Sequence, residues 1–267
     1  MPIIIPLIAA VLGLLAGGVV NMLADDLPAR VRVLAPHYAD GSSRPFLGLA
    51  AFARGRRASP GGSRLSWRYP LVEVALAAAF AALAAAYPLN VQLVFYLIYA
   101  CVFALVTVID LEHRLILIVV LVPTALIAVL DALLTPNTRP TLVDSLAGGA
   151  LGFGVFWLFW YGGVLFNRAR YRGEAHQEVA FGFGDVMLAG VCGLILGWQA
   201  MIFAMFITVF AGAFGGLAWM LSRLLSGSGY ALFTALPYGP YVIFGTVVML
   251  FFEESVQRFL WASWRWS

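Results

Sequence analysis

Residues 145–167 read SLAGGALGFGVFWLFWYGGVLFN, from Ser145 to Asn167, with no charged side chain. About 20 apolar residues carry a helix across the hydrocarbon core of a bilayer, whereas a barrel strand needs only about 9–11, so this run reads as a membrane helix. Comparable uncharged runs extend from Val74 to Ile109 and from Val186 to Ser222. Of the 267 residues, 63% are hydrophobic and 11% charged, which excludes a water-soluble globule. The fold class is all-α: a polytopic membrane helix bundle.

The uncharged runs and their interruptions predict eight transmembrane helices, near 2–23, 69–86, 91–110, 115–134, 143–166, 181–198, 200–222 and 231–252. Two runs are too long for one span. Tyr87-Pro88-Leu89-Asn90 breaks the first and Gly197-Trp198-Gln199 the second, and each therefore reads as a tight helical hairpin. Met1 to Leu23 lacks a basic leader and has a long uncharged body, so it reads as an uncleaved first span. The organisation expected is a first transmembrane helix at 1–23, a basic cytoplasmic loop at 24–69, a seven-helix membrane core at 70–252 and a short external aromatic tail at 253–267. No internal repeat is evident.

Orientation follows the arginines, because positively charged loops stay in the cytoplasm. Ala24 to Tyr69 holds Arg30, Arg32, Arg44, Arg54, Arg56, Arg57, Arg64 and Arg68 against three acids. With that loop inside, thirteen arginines fall inside, including Arg114, Arg168, Arg170, Arg172 and Arg223; only Arg139, Arg258 and Arg265 fall outside. Both termini then face outward, with Phe259, Trp261, Trp264 and Trp266 as an outer aromatic belt. The plain reading of the basic loop is a surface lying against anionic lipid headgroups.

All sixteen basic residues are arginine, so no lysine amine is at hand for catalysis, and a net charge of +3 gives no support for nucleic-acid binding. Cys101 and Cys192 lie in apolar runs without Cys-x-x-Cys spacing, as buried small hydrophobes do.

Ionisable groups in spans are costly, about 2.5–3.5 kcal/mol for an aspartate at a helix centre, so each needs a role. Asp25, Asp26, Asp40, Glu174 and Glu178 fall in loops, and Asp131, Asp144, Glu253 and Glu254 at outer boundaries, where solvation or helix ends explain them. Glu73, Asp110, Glu112 and Asp185 remain, all at cytoplasmic helix ends in this topology. Asp110 closes the predicted helix 91–110 after its 19 uncharged residues, in Val108-Ile109-Asp110-Leu111-Glu112-His113-Arg114. Asp185 stands in Phe181-Gly182-Phe183-Gly184-Asp185, where Gly182 and Gly184 admit a close backbone. Two carboxylates at one membrane boundary suit acid and base chemistry without a metal. The alternatives are an Asp110–Arg114 pair with Asp185 as a helix cap, or a proton pathway. Glu112, His113 and His176 show no H-E-x-x-H pattern, so no metal site is expected.

At these residues the sequence resembles the type IV prepilin peptidases, membrane leader peptidases and N-methyltransferases of type IV pilus and type II secretion systems. Gly182-Phe183-Gly184-Asp185 is similar to the GxGD signature of that family, and Ile109-Asp110-Leu111-Glu112-His113-Arg114-Leu115-Ile116 to the stretch holding its first aspartate. Three further segments follow the family's order: Gly13-Leu14-Leu15-Ala16-Gly17-Gly18-Val19-Val20-Asn21 with Leu27-Pro28, Arg68-Tyr69-Pro70-Leu71-Val72-Glu73, and Leu236-Pro237-Tyr238-Gly239-Pro240.

The resemblance implies Asp110 and Asp185 as the catalytic pair, with Gly182, Gly184, Glu73, Glu112, Arg114 and Asn21 in supporting or substrate-binding places. It implies an aspartyl endopeptidase in a bacterial inner membrane, cutting prepilins or pseudopilins at the cytoplasmic face, among membrane lipids and without nucleic acid. No cofactor is implied for cleavage; S-adenosylmethionine is the donor if the new N-terminus is also methylated. The sequence departs from the family at Met187, where a lysine is common, and at Leu117, where a proline is frequent. It also has no Cys-x-x-Cys in the 24–69 loop, which leaves no thiolates there for zinc. The rival readings are an inactive homologue acting in assembly and a small proton-coupled transporter.

The arginine distribution makes a direct prediction about topology. Two predicted spans separate Asp110 from Asp185, so both carboxylates face the same compartment. Cysteines introduced as Ser42→Cys or Gln177→Cys are expected to resist a membrane-impermeant thiol reagent in intact cells, and Thr138→Cys to react. Labelling of Gln177→Cys without Ser42→Cys would mean that a span had been miscounted.

Overall fold

The computed structural model describes residues 3–29, 35–135, 140–170, 182–225 and 237–264. Arg30, Arg32, Thr138, Arg139, Arg172, Glu174, His176, Gln177, Glu178, Leu236, Arg265 and Trp266 lie outside the described residues. Regular structure among the described residues is helical, apart from two isolated β-bridges. The helices are α1 (Ile4–Asp26), α2 (Gly48–Ala53), α3 (Arg68–Ala86), α4 (Val91–His113), α5 (Ile118–Leu134), α6 (Leu142–Arg170), α7 (Phe183–Leu196), α8 (Trp198–Leu225) and α9 (Gly239–Trp264). Five, namely α1, α3, α4, α6 and α8, are long and apolar enough to cross a membrane; α5, α7 and Gly239–Glu253 of α9 are shorter apolar helices. The expected polytopic bundle is therefore present, and α2 is, among the described residues, a helix that the sequence did not lead one to expect.

The chain divides into two units, Met1–Leu115 and Ile116–Ser267. In the first, α1 packs along α3, and α4 packs against both. The approach is close because Gly13 and Gly17 of α1 face α3: a Cβ on Gly17 would lie 2.6 Å from Glu73 Cα, and one on Gly13 would collide with the Leu76 carbonyl. Small residues four apart allow this where lipid offers no hydrophobic drive for helix association. The break between α3 and α4 falls where expected, and Asn90 caps α4 by accepting the Leu93 N–H at 3.0 Å.

In the second unit α7 packs against α5, α6, α8 and α9 and is buried around its circumference, from Val186 to Leu196. Its closest neighbour is α6, where Gly148 and Gly193 meet backbone to backbone. Ser145 Oγ also donates to the Leu194 carbonyl at 2.6 Å. Gly197, at φ +78, makes the sharp break between α7 and α8 that only glycine takes without strain. Cys192 is buried and Cys101 half-buried, both as free thiols.

Several boundaries differ from expectation. Residues 114–117 are not helical, because Arg114 adopts the left-handed region at φ 54 and Leu117 is extended, so α5 begins at Ile118 rather than at 115. The last helix begins at Gly239 and continues to Trp264; Phe252, where the span was expected to end, interrupts it at φ −127, ψ 19.

The basic loop also holds a folded module. Residues 36–44 and 57–65 form two turns with the same hydrogen bonds. Tyr38 N–H donates to Ser42 O at 2.8 Å, Gly41 N–H to Tyr38 O at 2.9 Å and Arg44 N–H to Pro36 O at 2.9 Å. Ser59 N–H likewise donates to Ser63 O at 2.8 Å, Gly62 N–H to Ser59 O at 3.0 Å and Leu65 N–H to Arg57 O at 2.8 Å. The bridges His37–Ser43 and Ala58–Arg64 match in the same way, and Gly41 and Gly62 hold equivalent positive φ. Asp40 joins the turns: it accepts Ser42 N–H at 3.0 Å, Ser42 Oγ–H at 2.6 Å and the hydroxyl of Ser59. Tyr38, Ala51 and Leu65 form a small core beneath, with Phe52 and Tyr69 against it.

These donors pull the Asp40 carboxyl down to about 2, with the Ser42 and Ser59 hydroxyls as the largest causes. A carboxyl lowered on folding stabilises above its ordinary value of 3.8 and loses that contribution as pH falls through about 2. Pepsin is therefore expected to leave residues 36–65 intact near pH 4 and to cut there near pH 2, while Asp40→Asn is cut at both. Equal resistance of the native chain at both values would contradict this role.

Candidate active site

Asp110 lies in the last turn of α4 and is only 4% exposed, although Leu111, Glu112 and His113 beyond it face outward. The turn is closed by Arg114, whose backbone N–H donates to the Asp110 carbonyl at 2.9 Å from its left-handed conformation. A non-glycine residue held there stores on the order of 1–3 kcal/mol, and such strain persists where the surroundings over-determine it. Glu112 accepts from Arg68 Nη1 at the start of α3, while Arg68 Nη2 donates to Asp25 at the end of α1. One guanidinium thus ties three helix ends together around the turn carrying Asp110. The reading of Asp25 as a solvated loop group is corrected: it also accepts from Tyr69 Oη at 3.0 Å and Arg44 Nη2 at 3.4 Å. Asp26 is buried too, 3.6 Å from His37 Nε2. Nothing in local spacing marks these partners, which come from 11 to 44 positions away.

Asp185 occupies the first turn of α7 and is 9% exposed. Gly182 N–H donates to Asp185 Oδ2 at 3.1 Å, and Asp185 N–H donates to the Gly182 carbonyl at 3.1 Å. The capping role weighed from sequence is thus present. The Gly182 N–H bond falls on Oδ2 of the carboxylate. Gly184 is needed for contact: a Cβ there would stand 2.8 Å from Ile116 Cβ, so α7 begins directly against Ile116. Gly182 has ordinary extended angles and no such crowding.

Glu73 and Asn21 come together at the α1–α3 contact, both fully buried. Glu73 Oε1 accepts Gly48 N–H at 2.6 Å and Asn21 Nδ2 at 3.4 Å, and Oε2 accepts Leu49 N–H at 2.8 Å. These are the unpaired donors at the start of α2, so a carboxylate from α3 caps a helix in the loop module. Asn21 Nδ2 also donates to the Tyr69 carbonyl at 3.1 Å. Glu73 and Asn21 thus hold the loop module against the spans. Among the described residues no group of His, Cys, Asp and Glu is arranged to hold a metal; His113 is exposed.

The type IV leader peptidase family matches over residues 97–217, a stretch containing Asp110, the Arg114 turn and Asp185. That match covers less than half of the chain. The chain is similar to the prepilin leader peptidase/N-methyltransferase of Myxococcus xanthus, 27% identical over 230 residues, covering 81% of this chain and 64% of that protein. Proteins of the same name from Bacillus subtilis and Aeromonas hydrophila are 25% and 28% identical, covering 74% and 73% of this chain and 71% and 61% of theirs. The chain thus spans less than two thirds of the length of the Myxococcus and Aeromonas relatives. No solved structure matches it. Sequence reasoning named both aspartates and both glycines as candidates but gave no such place to Asp25, Arg44 and Arg68, which the structure brings together.

Removing the Glu73 carboxylate leaves the buried Gly48 N–H without its acceptor, at a cost of about 1–3 kcal/mol, and frees the part-buried Leu49 N–H as well. Glu73→Ala is expected to lose hydrogen-exchange protection across Gly48–Ala53 and to lower Tm, with Glu73→Gln intermediate because its amide oxygen still accepts. Unchanged protection in Glu73→Ala would remove the capping role.

Proposed function

We propose that this chain is a membrane aspartyl endopeptidase that cleaves the leader of prepilin-like proteins, with Asp110 and Asp185 as its two catalytic carboxylates. The observation that carries the reading is the family match over 97–217, which contains two buried aspartates at helix ends. The names of the relatives from Myxococcus, Bacillus and Aeromonas supply the substrate class. In this mechanism the ionised carboxylate takes a proton from water as its oxygen adds to the scissile carbonyl carbon. The protonated carboxylate donates to the carbonyl oxygen, and collapse of the tetrahedral intermediate breaks the C–N bond as the leaving nitrogen gains a proton.

The reading places the enzyme in a bacterial cytoplasmic membrane with its carboxylates on the cytoplasmic side. The arginine excess supports that orientation, since the basic leader of a substrate stays on the same side. No metal or cofactor enters the cleavage. S-adenosylmethionine is the proposed donor for methylation of the new N-terminus, supported by the double name of the relatives.

The test is incubation of the purified chain with a prepilin leader peptide, followed by mass measurement of both fragments. Asp110→Asn and Asp185→Asn are each expected to cut cleavage by about 10²–10⁴-fold or more, since an amide keeps the shape but cannot exchange protons. Glu112→Gln keeps an acceptor for Arg68 and is expected to retain substantial activity, and chelators are expected to have no effect. A methylated product would appear as a fragment heavier by one methyl group. Full cleavage by either asparagine variant refutes the catalytic pair; no cleavage by the native chain favours the assembly-factor reading.

A further inference from the structure

We infer that Arg57, held beside Trp67 and Phe52, is a binding site for the phosphate of an anionic phospholipid. The guanidinium lies 5.4 Å from the centre of the Trp67 ring and 5.1 Å from that of Phe52, the two rings being 4.8 Å apart. Arg57 Nε donates to the Leu65 carbonyl at 3.3 Å, which uses the inner edge of the group. The two Nη atoms carry the remaining donors, and no acid among the described residues forms an ion pair with them. A guanidinium fixed by stacking and by one backbone bond has lost its freedom before a ligand arrives, and its fork matches two phosphate oxygens.

The depth of this site follows from α3. Its 19 residues rise about 28 Å, close to the roughly 30 Å of a hydrocarbon core, so both of its ends sit near the boundaries. Trp67 is the residue just before α3 and is 59% exposed, which puts an amphipathic ring in the headgroup layer. Arg57, stacked on that ring, is at the same level. Arg68, one position on, is already committed to Asp25 and Glu112 and is not available for a lipid.

The ligand is anionic because of what surrounds it. Arg54, Arg56 and Arg64 of the same module are also exposed and form no ion pair with described residues. A zwitterionic headgroup brings its own ammonium into that field, whereas a phosphatidylglycerol-type headgroup does not. An acidic protein segment supplies charge but leaves the apolar ring of Trp67 without cover, and a lipid covers both.

The experiment is native mass spectrometry of the full chain in detergent, titrated separately with phosphatidylglycerol, phosphatidylcholine and an acidic peptide. The native chain is expected to retain phosphatidylglycerol in preference to phosphatidylcholine. Arg57→Gln should weaken phosphatidylglycerol binding about fivefold, the effect of one arginine near a lipid surface. Arg57→Lys, which keeps the charge but not the fork, should lie between. Arg64→Gln, at an exposed arginine outside the stack, should lose less than Arg57→Gln. Equal retention of the two lipids, an Arg57→Gln variant as strong as the native chain, or equal losses in Arg57→Gln and Arg64→Gln would each overturn the site. Tighter, Arg57-dependent binding of the acidic peptide would overturn it in favour of a protein partner.

Discussion

A carboxylate can leave water only where other donors replace the water it gives up, and this requirement organises the polar part of the protein. Glu73 is fully buried and is met by two backbone N–H groups and an asparagine amide. Asp25 is met by two guanidinium groups and a phenol. Asp185 is met in part by the backbone that opens its own helix. The solutions for Glu73 and Asp185 need a helix start, because there the backbone has N–H donors that are not already used within the helix, whereas Asp25 is met by side chains alone. The acids therefore gather where helices begin and stop, and the spans between them remain apolar.

Placing those ends is the work of small residues. Gly17 brings α1 against the backbone of Glu73, which is how Asn21, one turn further on, reaches the same carboxylate. Gly148 and Gly193 do the equivalent for α6 and α7, and Gly184 seats the first turn of α7 against Ile116. In lipid, where apolar surface gains little by touching apolar surface, close backbone approach supplies the packing that a larger side chain would prevent. The left-handed Arg114 shows the same economy in unit one: a strained residue ends α4 one turn after Asp110, and an Arg68–Glu112 pair holds the turn in place.

Much of this was legible in the sequence because membrane spans are local. The uncharged runs located eight apolar helices, and Pro88 and Gly197 located two of the breaks. The two aspartates stood out because a carboxylate next to an apolar run is costly wherever the chain goes. The module in the 24–69 loop did not stand out. Its two turns share Gly41-Ser42 and Gly62-Ser63 and little else, and their likeness lies in backbone hydrogen bonds rather than in residue type. Asp25 was hidden for a related reason: its partners Arg44, Arg68 and Tyr69 are scattered along the chain and meet it only once α1 and α3 have packed.

By itself, then, the sequence determined what each segment can tolerate: which stretches can sit in hydrocarbon, where the chain must turn, and which carboxylates need an explanation. These follow from transfer energies and backbone preferences, which act over a few residues. Only the tertiary structure decided how the carboxylates are met. Whether Glu73 caps a helix in the loop, whether Arg68 reaches Asp25 and Glu112 together, and whether Arg57 stacks on Trp67 depend on contacts between distant positions. Such contacts have no local signature, because hydrogen-bond geometry is set by packing distance and not by spacing along the chain.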